Sequence, residues 1–227
     1  MPLQNRVRPD GEIVAASARG LLMGNRGCLH GQGRELGVSR WRSKLWIGCV
    51  LDWRGRRRDP MLPGRWTALF FLDEVTALAA GHRPCAYCRR SDYVDFAEAW
   101  RLAAGLPARL LAADMDARLH AERTDRNRRK RTHVRDVAGL PEGVMIRAAD
   151  GASLLVGGRL RPWSLTGYGS PVPAPSAGPV ELLTPPSIVA ALAAGYRPLV
   201  HPSALAGATR TGWREQPGLR GQWRRAA

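Results

Sequence analysis

Residues 70–89 constrain this chain more than any other segment: Phe-Phe-Leu-Asp-Glu-Val-Thr-Ala-Leu-Ala-Ala-Gly-His-Arg-Pro-Cys-Ala-Tyr-Cys-Arg. The aromatic pair reads as a strand end. Asp73 is placed to cap a short helix running to about Ala80, and Gly81 suits the left-handed residue just beyond it. Pro84 blocks continuation, and Cys85-Ala-Tyr-Cys88 then forms a tight turn. Two thiolates two residues apart reach a single tetrahedral ion, with sulfur–zinc distances of about 2.3 Å. The segment predicts a short helix that delivers a metal-binding knuckle.

A tetrahedral site needs further ligands, and three candidates lie upstream: Cys28, His30 and Cys49. Cys28 and His30 follow a Gly24-Asn25-Arg26-Gly27 turn, from which a ligand can project. Cys49 sits in the apolar run 44–54, which reads as a strand. Cys49 with His30, or Cys28 in place of either, completes the set with Cys85 and Cys88. With four cysteines in 227 residues and no apolar leader after Met1, reduced thiols and Zn2+ are expected rather than disulfides. No apolar run is long enough to span a bilayer, so the expected location is cytoplasmic, with no membrane partner.

Charge is the second constraint. Thirty-five Lys and Arg against nineteen Asp and Glu leave a formal +16, and only Lys44 and Lys130 among the bases are not arginine. Such an excess attracts polyanions, and each guanidinium can grip phosphate through two parallel bonds. Two clusters are the candidate nucleic-acid contacts: Arg40, Arg42, Lys44, Arg54, Arg56, Arg57 and Arg58, interleaved with Trp41, Trp46 and Trp53; and Arg123, Arg126, Arg128, Arg129, Lys130 and Arg131, read as a flexible loop. DNA is the expected partner ahead of RNA. For catalysis, Asp116 and His120 are one helical turn apart with Glu122 nearby, a spacing at which a carboxylate can orient an imidazole. Pro2, once exposed as the terminal residue, would offer a secondary amine for Schiff-base chemistry.

Along the chain, Ser91 is placed to cap a helix through Ala104, Pro107 to open a third helix, and Ser187 to cap a fourth. Residues 143–147 and 153–156 read as strands joined by an Asp150-Gly151 turn, and another strand covers 180–183. Residues 171–179 read as a Pro-rich linker. Val75–Pro84 recurs as Val189–Pro198 with two of ten positions changed. The second copy lacks the cysteines, so the shared part is read as helix, glycine stop and proline.

The run Ala77-Leu-Ala-Ala-Gly-His-Arg-Pro-Cys-Ala-Tyr-Cys-Arg89 after Phe70-Phe71 resembles the zinc-binding module of Ada-type DNA-alkylation-repair proteins, over about residues 70–90. The resemblance implies Cys85 and Cys88 as the downstream zinc pair, with DNA beside the site. No Pro-Cys-His-Arg methyl-acceptor motif is present. The expected class is α+β: a zinc module with its basic Trp/Arg strand over 1–105, a helix and β-hairpin region over 106–206, and a basic, disordered tail over 207–227. The expected function is zinc-containing nucleic-acid binding in DNA repair or processing. The alternatives are a DNA lyase, glycosylase or nuclease using Pro2 or the Asp116/His120/Glu122 group, and an RNA-associated or structural zinc protein without catalysis.

Overall fold

The computed structural model describes residues 1–55, 59–207 and 213–214. Arg56, Arg57, Arg58 and nearly all of the expected tail lie outside them. The class is α+β, with two sheets and four helices among the described residues. The strands are β1 (Gln4–Val7), β2 (Ile13–Ala15), β3 (Leu22–Asn25), β4 (Ile47–Val50), β5 (Leu69–Phe71), β6 (Arg83–Pro84), β7 (His133–Asp136), β8 (Met145–Ala148), β9 (Gly151–Val156), β10 (Arg159–Ser164), β11 (Gly167–Tyr168), β12 (Val172–Pro173) and β13 (Pro179–Leu182). The helices are α1 (Glu74–Ala79), α2 (Arg90–Ala103), α3 (Ala112–Arg123) and α4 (Pro186–Ala193). The first sheet runs β2-β1-β5-β3-β4-β6; the second runs β11-β10-β9-β8-β13-β7, with β12 added beside β10.

Helix α1 is buried along its whole length and joins the two sheets. Asp73 caps it by accepting from Thr76 N at 2.9 Å and Thr76 Oγ1 at 2.7 Å. The same carboxylate accepts from Tyr168 Oη at 2.9 Å and His201 N at 3.0 Å, so one N-cap also ties down the second half of the chain. Burial pushes its pKa upward despite these donors. Glu74 does similar work, accepting from Arg89 (2.6 Å), Tyr196 Oη (2.6 Å) and Leu199 N (2.8 Å).

The expected boundary at residue 105 is crossed by one continuous core. Phe96 and Trp100 of α2 pack with Met115 and Leu119 of α3, Ile146 of β8 and Ile188 and Leu192 of α4. Apolar contact therefore unites residues from both sides of that division.

Several expected helix starts differ. Helix α2 begins at Arg90 with no side-chain cap, because the preceding Arg89 has only donors and no acceptor for the helix amides; its guanidinium meets Glu74 and Asp92 instead. Helix α3 begins at Ala112 rather than Pro107. In α4, Ser187 lies inside the first turn; Glu122 of α3 reaches across, accepting from Ser187 N at 2.9 Å and Ser187 Oγ at 2.5 Å. The β8–β9 turn falls at Ala149-Asp150, since Ala148 pairs with Gly151. Both copies of the internal repeat are a helix followed by a left-handed glycine, at φ 89° for Gly81 and 101° for Gly195.

Candidate metal centre and cationic cavity

The metal centre is assembled by a parallel strand pair. Ile47 pairs with Arg83 and Gly48 with Pro84, and Cys85 N donates to Gly48 O at 3.0 Å. This register carries Cys49, the next residue of β4, alongside Cys85 at the exit of β6. Cys88 closes the turn just ahead of α2. The Sγ atoms of Cys49, Cys85 and Cys88 all lie within 4.8 Å of one another, and among the described residues no other Cys, His or carboxylate joins the group. This trio can hold a metal ion. Its donors are soft thiolates at tetrahedral reach, a set suited to zinc and to other thiophilic metals.

Backbone amides organise the sulfurs. Tyr87 N donates to Cys85 Sγ at 3.4 Å, and the amide of Val50 serves Cys88. Cys85 is pulled well below the ordinary thiol range, first by hydrogen bonds from Cys49 and Cys88. Cys49, whose proton is donated and whose surroundings are desolvated, is pushed strongly upward.

His30 does not belong to the centre. Its Nδ1 lies 2.6 Å from Thr67 Oγ1 and its Nε2 3.0 Å from Leu62 O, so both ring nitrogens are engaged elsewhere. Cys28 is exposed, with its sulfur 3.6 Å from the carbonyl of His30. Neither completes the cysteine trio. Instead, the sulfurs border a cavity of about 500 Å3 walled by Met23, Trp53, Trp66, Phe70 and Tyr87. Trp53 and Tyr87 face each other with ring centroids 5.4 Å apart, and the Arg54 guanidinium lies 5.2 Å from the Trp53 ring. Tyr87 is 67 % exposed, so this aromatic wall opens to solvent.

The remaining basic candidates gather elsewhere. Thr124 bridges Lys130, and Asp125 N donates to Arg129 O at 2.9 Å, so residues 124–130 form a tight hairpin rather than the expected flexible loop. That hairpin brings Arg128, Arg129 and Lys130 beside Arg40 and Trp41, and all five line a cavity of about 690 Å3. Arg42 and Lys44 are exposed along the same connection, as are Arg126 and Arg131 of the hairpin. Deeper in the cavity lining lie two buried arginines, Arg26 and Arg123, with their guanidinium carbons 4.1 and 4.0 Å from the centre of the Trp46 ring. Arg123 belongs to the expected basic cluster over 123–131, whereas Arg26 is not among the expected contacts. Nothing local marks Arg26 among so many arginines, while Arg123 packs so closely on Gly81 that a Cβ there would lie 2.5 Å from Arg123 Cδ.

No protein-family model, curated protein or solved structure matches the chain. The reading of the site therefore rests on its geometry.

The expected acid–base group is not assembled. Asp116 is committed to Arg83 through two bonds of 2.8 and 2.7 Å, both side chains being buried. His120 packs edge-on against Trp41, with ring centroids 4.4 Å apart, and burial lowers its pKa. Glu122 caps α4. The three carry separate structural tasks. Pro2 is exposed ahead of β1 and lines neither cavity described above. Among the described residues, no helix is long and apolar enough to cross a membrane.

Proposed function

We propose that this chain is a zinc-containing nucleic-acid-binding protein, directed at DNA, in which Cys49, Cys85 and Cys88 hold the metal beside an aromatic binding face. The observation that carries the reading is the convergence of three cysteine sulfurs at the mouth of a cavity walled by Trp53, Trp66 and Tyr87. A bound zinc would lock β4, β6 and the start of α2 together and contribute directly to folding free energy. The open aromatic wall offers stacking surfaces for unpaired bases, with Arg54 placed for a neighbouring phosphate. The net charge of +16 supplies long-range attraction. The Ada-like resemblance of residues 70–90 points the same way.

The test has two parts. Protein purified without chelator is analysed for metal beside Cys49→Ser and Cys85→Ser; about one zinc per chain in the wild type and loss in both variants is expected. Binding of a fluorescent single-stranded oligonucleotide is then compared with Trp53→Ala, which is expected to weaken it by about 1–3 kcal/mol. Wild-type protein without zinc, or binding indifferent to Trp53, refutes the reading.

A further inference from the structure

Arg26 and Arg123 are 2 % and 1 % exposed, yet neither meets a carboxylate. Arg26 Nε donates to His82 Nε2 at 3.3 Å and Nη1 to Gly11 O at 2.9 Å; its Nη2 has no partner. Arg123 donates to Gly81 O at 2.7 Å and Lys44 O at 2.6 Å, leaving Nε without one. Lys130 Nζ meets the carbonyl of Ala79 at 2.5 Å. Every acceptor is neutral. Two buried cations and the partly buried Lys130 thus line one cavity, and among the described residues no anion forms an ion pair with them. Burying cations without counter-charge costs several kcal/mol each, which a fold does not normally tolerate for structure alone.

The surroundings sharpen the point. His82 sits against Trp46 and Phe71, and desolvation together with Arg26 and Arg123 holds it neutral. The carboxylates at the rim are occupied: Asp10 is 3.1 Å from Arg8, and Glu12 is 3.7 Å from the same guanidinium. Asp10 offsets Arg26 and Lys130 only at a distance, as Asp116, which is bound to Arg83, does Arg123. Burial pushes both arginines down to about 9, and burial with the two arginines pushes Lys130 down to about 7.

We propose that this cavity binds a phosphate monoester dianion, gripped by Arg26, Arg123 and Lys130, with Arg40, Arg128 and Arg129 at its mouth. A dianion answers several buried cations better than the single charge of a carboxylate or an internal phosphodiester. Because Arg26 and Arg123 are buried while Arg40, Arg128 and Arg129 are exposed, a phosphate that reaches the buried pair is a terminal one: a free nucleotide or phosphate, or the phosphorylated end of a nucleic acid. Both guanidiniums already lie over the Trp46 ring, so it is not a stacking surface for the ligand. The inference rests on the nucleic-acid reading only for the source of the phosphate, and it needs no metal.

The test uses the full chain at constant ionic strength in chloride. Calorimetry follows inorganic phosphate, a nucleoside 5′-monophosphate, and one oligonucleotide with either a 5′-phosphate or a 5′-hydroxyl. Saturable binding of at least one phosphate monoester is expected, with a matching rise in melting temperature. Preference for the 5′-phosphorylated oligonucleotide of tenfold or more assigns the site to nucleic-acid ends. Tight mononucleotide binding with no preference between the oligonucleotides assigns it to a free nucleotide. Lys130→Met, which removes one bond to a carbonyl and is expected to fold, should weaken monoester binding about tenfold, and Arg26→Gln likewise. No monoester bound above the chloride control, or affinity unchanged in folded Lys130→Met and Arg26→Gln, overturns the proposal. Cys85→Ser protein should keep the phosphate response even if it loses 5′-hydroxyl oligonucleotide binding, so the two sites fail separately.

Discussion

Asp116→Ala removes one half of a buried ion pair and leaves the other in place. Arg83 is buried in β6, and its guanidinium presents Nε and Nη2 to the two Asp116 oxygens at 2.8 and 2.7 Å. Its Nη1 donates to Pro84 O at 3.0 Å, a further bond that would be lost if the side chain swung out to water. Breaking such a pair by deleting one partner costs about 3–5 kcal/mol, because the residual charge stays desolvated. For a chain of this size that corresponds to a fall in melting temperature of roughly 10 °C or more. Arg83 also stands two residues before Cys85, so the same change should loosen Cys85 against Cys49. The assay is urea unfolding with zinc saturating, comparing Asp116→Ala, Arg83→Met and the double variant Arg83→Met/Asp116→Leu. The double variant should recover most of the loss, since an apolar pair of similar volume leaves no buried charge. A loss below about 1 kcal/mol for Asp116→Ala, or a double variant no better than the sum of the singles, would refute this account of the pair.

Other outcomes follow from the same contacts. Gly81→Ala combines left-handed backbone with a Cβ 2.5 Å from Arg123 Cδ, whereas Gly195→Ala, at φ 101°, meets open space. The first should cost about 2–5 kcal/mol and the second about 1–2, read by denaturant midpoints. His82 is held neutral in the fold but takes a proton near its ordinary value when unfolded, so stability is present above about pH 6.5 and drains as pH falls below it. Between pH 7 and 5 this contributes a loss of about 2 kcal/mol, which should be absent from His82→Gln measured in parallel. Chelator treatment should lower wild-type stability and leave Cys49→Ser protein unaffected, as followed by melting curves with and without added zinc.

Local signals carried much of the knuckle. Asp73, Gly81, Pro84 and the Cys85–Cys88 spacing have their structural meaning within a few residues, and each is visible in the string. Cys49 was a candidate from its thiol alone. What promoted it over His30 was the parallel pairing of β4 with β6, a contact between strands more than thirty residues apart that no local pattern encodes. The same limit explains the Asp116, His120 and Glu122 group: helical spacing put them near one another, but Arg83, Trp41 and Ser187 claimed them one by one from elsewhere in the chain.

Charge shows the division most clearly. Composition alone determined that this protein carries a strong positive field, because net charge is a sum and ignores position. Which cations face water and which are enclosed was decided only by the tertiary structure: Arg40 stays exposed, while Arg26 and Arg123 are buried against one indole. Desolvation depends on what surrounds a group in three dimensions, and that neighbourhood is assembled from β3, the Trp46 segment and the end of α3 only when the chain closes.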